Sequence, residues 1–187
     1  MKKKSSREKV RTMKFLIETI KPEDYSATKR MVYEAFLTAE HRDGDEHELI
    51  ERLRGTEAYV PELEVVAKKE NQIVGYGLLT KINILSEDSA YQALVLAPLA
   101  VSSTCQRQGV GAAILRELEI RAKRLGYVAI SILGEPAYYQ KFGYFPASQA
   151  QIRLPFDVPD AYSLIKFIGE KPVKTAGVIQ YSSAFGI

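Results

Sequence analysis

Apolar positions fall into short runs of two kinds along this chain, some at the 3.6-residue spacing of a helix and others alternating or continuous as in strands. Residues 14–20 read as a short strand halted by Lys21-Pro22. Pro22 suits the first turn of a helix, over which Tyr25, Met31, Val32, Ala35 and Phe36 recur at helical spacing. A polar, acid-rich connection follows at 41–48, where Asp45 with Glu48 predicts a capping box. The helix it would open bears Leu49, Ile50 and Leu53 and stops at Gly55. Two β runs, 63–69 and 73–85, meet at Glu70-Asn71-Gln72 and predict a hairpin. The run 92–101 is almost wholly apolar, as in a strand covered on both faces.

Residues 109–125 make the clearest helix, with Val110, Ile114, Leu118, Ala122 and Leu125 as its buried stripe. Glu117/Arg121 and Glu119/Lys123 are spaced to pair on its exposed side, and Gly126 supplies the stop. A buried strand at 128–133, a short helix at 136–142 and a late β run at 173–183 complete the pattern. Strands and helices in mixed order around a central hairpin predict an α/β fold of the α+β kind, with a partly antiparallel mixed sheet. A doubly wound parallel sheet does not fit.

At 187 residues the chain suits one domain, expected over 13–187. Its longest apolar stretch, 93–101, is interrupted by Pro98 and falls far short of the roughly 18 residues a membrane span needs. A single cysteine, Cys105, excludes an intramolecular disulfide framework and a cysteine-rich zinc site. With only His41 and His47 besides, no metal is expected, and the location expected is cytoplasmic. The net charge of +3 is a property of one end. Residues 1–12 hold six basic groups (Lys2, Lys3, Lys4, Arg7, Lys9, Arg11) against Glu8, a local +5, which leaves −2 for the rest. Without interleaved aromatics or a following apolar core, this reads as a disordered solvated tail, neither a signal peptide nor a nucleic-acid arm. No nucleic-acid or membrane partner is expected.

The informative stretch is Leu99-Ala100-Val101-Ser102-Ser103-Thr104-Cys105-Gln106-Arg107-Gln108-Gly109-Val110-Gly111-Ala112, a buried strand running through a polar loop into a helix opened by two glycines. Such a helix start is an anion cradle. Its first N–H groups are unpaired, the helix dipole adds about half a positive charge, and glycine lets an oxyanion approach the backbone. Arg107 adds a full charge. No Gly-x-x-x-x-Gly-Lys-Ser/Thr string is present, and Ile114 stands at the third position of a dinucleotide fingerprint, although Glu135 after the next strand could imitate a ribose-binding acid.

Gln106-x-x-Gly109-x-Gly111 after Leu-Ala-Val resembles the acyl-CoA-binding motif of the GNAT N-acetyltransferases. Tyr138-Tyr139-Gln140-Lys141-Phe142-Gly143-Tyr144 is similar to that family's downstream Leu-Tyr-Glu-Lys-Leu-Gly-Phe segment. The element order follows the family from about residue 14 to 145, and Gly134-Glu135-Pro136-Ala137-Tyr138-Tyr139 looks most like a branch of small bacterial predicted acetyltransferases. The resemblance implies an acyl-CoA N-acyltransferase fold with a central, mostly antiparallel sheet and splayed middle strands. It assigns the cradle of Gln106, Arg107, Gln108, Gly109, Val110, Gly111 and Ala112 to acetyl-CoA, with the N–H groups of 108–112 on the pyrophosphate. The main chain of Leu99, Ala100 and Val101 is assigned to the pantetheine arm and the acetyl carbonyl.

The residues themselves agree about that strand, since a proline inside it predicts a bulge at Pro98 and a break in pairing with 128–133, or else an edge strand. Unpaired backbone there suits an extended amide chain. Tyr139 matches the family's general acid, which would protonate the departing thiolate. Tyr138, Tyr139 and Phe142 are also spaced to pack together. No carboxylate on 92–101 offers a base, and Glu34, Glu135 or a water chain remain open. Ser103, where proline is common, and Gly134-Glu135, in place of an asparagine segment, depart from the family on the acceptor side. Cys105 has no histidine nearby in sequence for a covalent route. His41, Asp43, Asp45, Glu46 and His47 match no metal-ligand spacing, but their acids border the family's acceptor site and could attract a cationic amine. Asp43→Asn with Asp45→Asn would then raise the acceptor KM. The implied function is transfer of the acetyl group from acetyl-CoA to a primary amine, on a small molecule or a peptide, by direct attack in a ternary complex. There is room for a homodimer. The alternatives are a catalytically inactive acyl-CoA-sensing or protein-binding module of the same fold, and a dinucleotide-binding oxidoreductase.

Overall fold

The two rhythms of the sequence separate in space into one sheet and helices on both its faces. The computed structural model describes residues 15–37, 44–170 and 175–187. The basic tail, together with His41 and Asp43, lies outside them. The strands are β1 (Leu16–Thr19), β2 (Glu64–Lys69), β3 (Gln72–Leu85), β4 (Ala90–Val101), β5 (Ala129–Leu133), β6 (Phe145–Pro146), β7 (Ile152–Arg153), β8 (Ser163–Phe167) and β9 (Gly177–Gln180). The helices are α1 (Tyr25–Phe36), α2 (Glu46–Arg54), α3 (Val110–Arg124) and the one-turn α4 (Pro136–Tyr139).

The sheet runs β1-β2-β3-β4-β5-β8-β6, antiparallel throughout except where β4 meets β5. This mixed sheet is the α/β architecture expected, and it excludes the parallel sheet of a dinucleotide-binding oxidoreductase. β9 extends the other edge of β3 beyond β2, and short β7 runs parallel to it. Glu70 and Asn71 adopt positive φ (51° and 65°), giving the two-residue turn whose twist matches the strands of a hairpin.

Alternation along the strands sends successive side chains to opposite faces. One face packs on α3, where Val65, Ala67, Leu79, Leu94 and Ile132 meet Val110, Ile114 and Leu118. The other carries α1 and α2, with Met31, Val32, Ile50 and Leu53 against Val66, Tyr76, Leu78 and Ala100. Farther along that same face, Ile82, Ile84, Val95, Ala129 and Ile165 pack under the C-terminal segments. Gly75 and Gly77 let α3 seat closely on the sheet, since a Cβ on Gly77 would meet Ile114 Cγ2 at 2.6 Å and Leu118 Cδ1 at 2.9 Å. Gly77→Ala should therefore destabilise the fold by about 1–3 kcal/mol through overpacking. An unchanged midpoint in urea denaturation would show that α3 has slack.

Three local expectations are corrected. Asp45 precedes α2 but caps nothing with its side chain, because its carboxylate is drawn to Arg52 Nη2 at 2.6 Å. Leu125 lies beyond the last turn of α3 and is 45% exposed, and Leu115 takes a buried place instead. Glu119 pairs with Lys166 of β8 at 2.7 Å and not with Lys123, a charge the helix could not anticipate because it arrives from 47 residues away. Glu117 and Arg121 do pair, at 2.8 Å. Among the described residues, no helix is long and apolar enough to cross a membrane.

Candidate active site

The site begins where two neighbouring strands part. β4 and β5 pair only at Leu94–Ile130, Val95–Ser131 and Leu96–Ile132. At the next step Ala97 and Pro98, joined by a cis peptide, stand opposite the single residue Leu78 of β3. This is the bulge that a proline inside a strand predicts. Because β4 is internal, the edge-strand alternative falls away. Beyond the bulge, Leu99, Ala100 and Val101 stay paired with Gly77, Tyr76 and Gly75 but not with β5. An open seam therefore lies between the C-terminal ends of two adjacent parallel strands.

At the mouth of that seam the backbone turns into α3. Ser102 N–H closes onto Val74 O (3.0 Å), and a 3-10 turn at Ser103–Cys105 follows. The side chains of Gln106 and Gln108 turn back and donate to Val101 O (3.4 Å) and Thr104 O (2.9 Å). Arg107 and Gly109 take positive φ (58° and 87°), which swings the loop into the helix axis. The first backbone bond to reach back is Ala113 N–H to Gly109 O at 3.0 Å. The N–H groups of residues 108–112 thus find no backbone acceptor among the described residues, as at any uncapped helix start. Space above Gly109 is open. With Arg107 exposed beside them, these donors can hold an anion.

The two tyrosines of α4 part company. A Cβ on Gly111 would lie 2.8 Å from the Tyr138 hydroxyl, so this half-buried phenol covers the cradle's second glycine. Tyr139 instead lays its ring on Gly134, where a Cβ would lie 2.5 Å from Cε2, and packs into the cluster that includes Leu99 and Val101 beside the seam. The rings meet edge-on at 5.0 Å, and Tyr139 meets Tyr144 at 6.0 Å. Burial pushes the Tyr139 phenol well above its ordinary pKa, with Tyr138 adding to the shift, so it is protonated throughout the neutral range.

The acid candidates disperse. Glu135 is exposed and accepts from Ala137 N–H at the start of α4, at 3.4 Å, while Glu34 lies exposed on α1. Asp45 is committed to Arg52, and His47 stacks edge-on Tyr33 at 5.1 Å. Cys105 is buried. Among the described residues, no group of three His, Cys, Asp or Glu could hold a metal ion.

Sequence reasoning missed two features. Glu64, fully buried, accepts from both Nε and Nη2 of Arg54, from Tyr59 Oη (2.6 Å) and from Tyr76 Oη (2.7 Å), below α1 and α2. A carboxylate set between Leu63 and Val65-Val66 in an apolar run was the available signal. The second is Tyr181, which the C-terminal segment packs on the cluster containing Val95 and Ala129, between Phe156 and Phe185.

Residues 29–144 match the acetyltransferase (GNAT) family. YjhQ of Escherichia coli, an uncharacterized N-acetyltransferase, is 27% identical over 139 residues, covering 72% of this chain and 77% of its own. Among solved structures, Escherichia coli YhbS, a GNAT family N-acetyltransferase in complex with CoA, superposes with a TM-score of 0.83 at 22% identity over 93% of both chains. A GNAT family acetyltransferase from Brucella melitensis in complex with acetyl-CoA gives 0.75 at 22% identity, over 91% of this chain and 97% of the other.

Proposed function

The chain belongs to the acetyltransferase (GNAT) family, and from that premise we propose that it transfers the acetyl group of acetyl-CoA to a primary amine by direct attack in a ternary complex. The observation that carries this reading is the shared position of seam and cradle: unpaired strand backbone and unpaired helix N–H groups lie at the same end of β4. Acetyl-CoA has the matching order of groups, a pyrophosphate joined to an extended diamide arm that ends in a thioester. The N–H groups of residues 108–112 and Arg107 would hold the pyrophosphate. The backbone of Leu99, Ala100 and Val101 would pair with the arm as a substitute strand and orient the acetyl carbonyl. Tyr139 would donate a hydrogen bond to the sulfur as it leaves, which lowers the cost of the developing thiolate.

Calorimetric titration tests the donor half. Acetyl-CoA should bind with micromolar affinity while NADH in a parallel cell gives no heat. Gly111→Val, which puts methyl groups among the cradle donors and against Tyr138, should weaken acetyl-CoA binding at least about tenfold, or about 1.4 kcal/mol. No acetyl-CoA binding by the unmodified protein would reduce the cradle to an ordinary glycine-opened helix and remove the enzymatic reading. Release of CoA thiol, followed over a panel of amines that includes 2-phenylethylamine, spermidine and an amino-terminal peptide, tests the acceptor half. Binding without amine-dependent release would favour the acyl-CoA-sensing module.

A further inference from the structure

Phe142-Gly143-Tyr144 ends in a phenol, where the family segment it resembles ends in Phe. Tyr144 is 2% exposed, and its ring meets that of Tyr139 edge-on. Lys166 of β8 stands over the same ring, with Nζ 5.5 Å from the centroid. That ammonium also holds Oε2 of Glu119 on α3, at 2.7 Å. Three separate elements thus converge on one place behind the tyrosine at the seam.

Two polar atoms at this place are unsatisfied. Tyr144 Oη and Glu119 Oε1 are both buried, and neither has a hydrogen-bond partner among the described residues. Burial and the Glu119 carboxylate push the phenol far above its ordinary pKa, so it keeps its proton and offers a donor. The other atom is a carboxylate acceptor, and both are gathered round one ammonium. A donor and an acceptor buried side by side without a bond cost stability, and Phe at 144 would avoid the hydroxyl's share of it. A hydroxyl kept under those terms calls for a functional account.

We propose that Tyr144 is a positioning residue for Tyr139, its hydroxyl closing onto Glu119 Oε1 as Tyr139 turns toward the departing sulfur and opening again afterwards. This rests on the acyl-transfer reading above. The Tyr139 ring is confined, since it lies on Gly134, where a Cβ would be 2.5 Å from Cε2, and against the Tyr144 edge. A turn of that ring is therefore taken up at Tyr144. Gly143, at a φ of 86°, has nothing closer than 3.8 Å to where a Cβ would stand, which leaves the backbone before Tyr144 room to follow. Lys166 meanwhile keeps the Glu119 carboxylate in place through its other oxygen. A bond made only as charge develops on sulfur lowers the barrier without tightening the hold on the donor.

The test uses the full-length protein and whichever amine of the panel releases thiol fastest. Tyr144→Phe should lower kcat about fivefold while the acetyl-CoA Kd, by calorimetry, stays within about twofold. Its Tm should be unchanged or higher, because the hydroxyl it removes is unpaired. The same substitution made on Tyr139→Phe, or on Glu119→Ala, should cost no further kcat, since the three groups act as one unit. An unchanged kcat for Tyr144→Phe overturns the role. So does a kcat loss that comes with a lower Tm, the signature of a hydroxyl already bonded in the resting fold. A loss that persists on the Tyr139→Phe background shows that Tyr144 does not act through Tyr139, and one that persists on Glu119→Ala removes the closing pair. If the unmodified protein binds acetyl-CoA yet no amine releases thiol, the acyl-transfer reading falls and takes this role with it. An active protein whose Tyr144→Phe variant turns over normally removes the role alone.

Discussion

Tyr139→Phe should lower kcat by about a hundredfold while leaving the acetyl-CoA Kd within about twofold. The ring's packing is kept: Phe fills the same space on Gly134 and beside Tyr144, so only the hydroxyl is lost. Because burial raises this phenol, it carries its proton at every pH where an amine nucleophile is useful, and the kcat profile should show no falling limb from it below about pH 10. A phenol is already a weaker acid than a free thiol, and burial widens the gap. On the proposed reading its contribution would be a hydrogen bond to developing charge, and a change in kcat without a change in donor affinity is the expected signature. Tyr138→Phe is the comparison. Its hydroxyl lies over Gly111 at the cradle, so it should shift acetyl-CoA binding more than turnover. Equal kcat for Tyr139→Phe and the unmodified protein would remove the assignment.

The largest loss of stability is expected at Glu64→Gln, about 3–5 kcal/mol. Glu64 is wholly enclosed, and among the described residues the charge of Arg54, itself laid on the Tyr25 ring at 3.7 Å, is paired only with this carboxylate. Tyr59 and Tyr76 also donate to it, and burial together with the neighbouring carboxylate pushes both phenols far above their usual range. An amide returns neither the charge nor both acceptor oxygens. At about 2–4 °C per kcal/mol for a protein of this size, Tm should fall by roughly 6–20 °C. Glu64→Leu combined with Arg54→Met, which removes both charges, should recover much of the loss. A Glu64→Gln protein that unfolds within about 1 kcal/mol of the original in urea would mean that Arg54 finds water without cost.

What could be read in advance was what is local. The stripe of Val110, Ile114, Leu118 and Ala122, the turn at Glu70-Asn71 and the glycines opening α3 each express a rule that spans a few residues, and each stands in the structure as expected. Pro98 was more informative still, because a missing donor inside an apolar run has few accommodations, and a bulge is one of them. β6 and β7, two residues each, are too short to show a period, and β8 lies in a stretch punctuated by Pro155 and Pro159 that reads as loop. The partner of Glu119 was invisible for another reason. It is chosen by tertiary approach, and a side chain's own neighbours in sequence carry no record of it. For the same reason the tyrosine motif located α4 but did not say which phenol would face the cradle and which would sink beside the seam.

The seam also divides the sheet mechanically. β1 to β4 form one laced panel and β5, β8 and β6 another, and between the panels the stitching is confined to Leu94, Val95 and Leu96. Past Leu96 the panels separate like the covers of an open book, with α3 as the spine that crosses from one to the other. A ligand that runs along both free lips adds stitches to each panel at once, so its grip is felt far from any atom it touches.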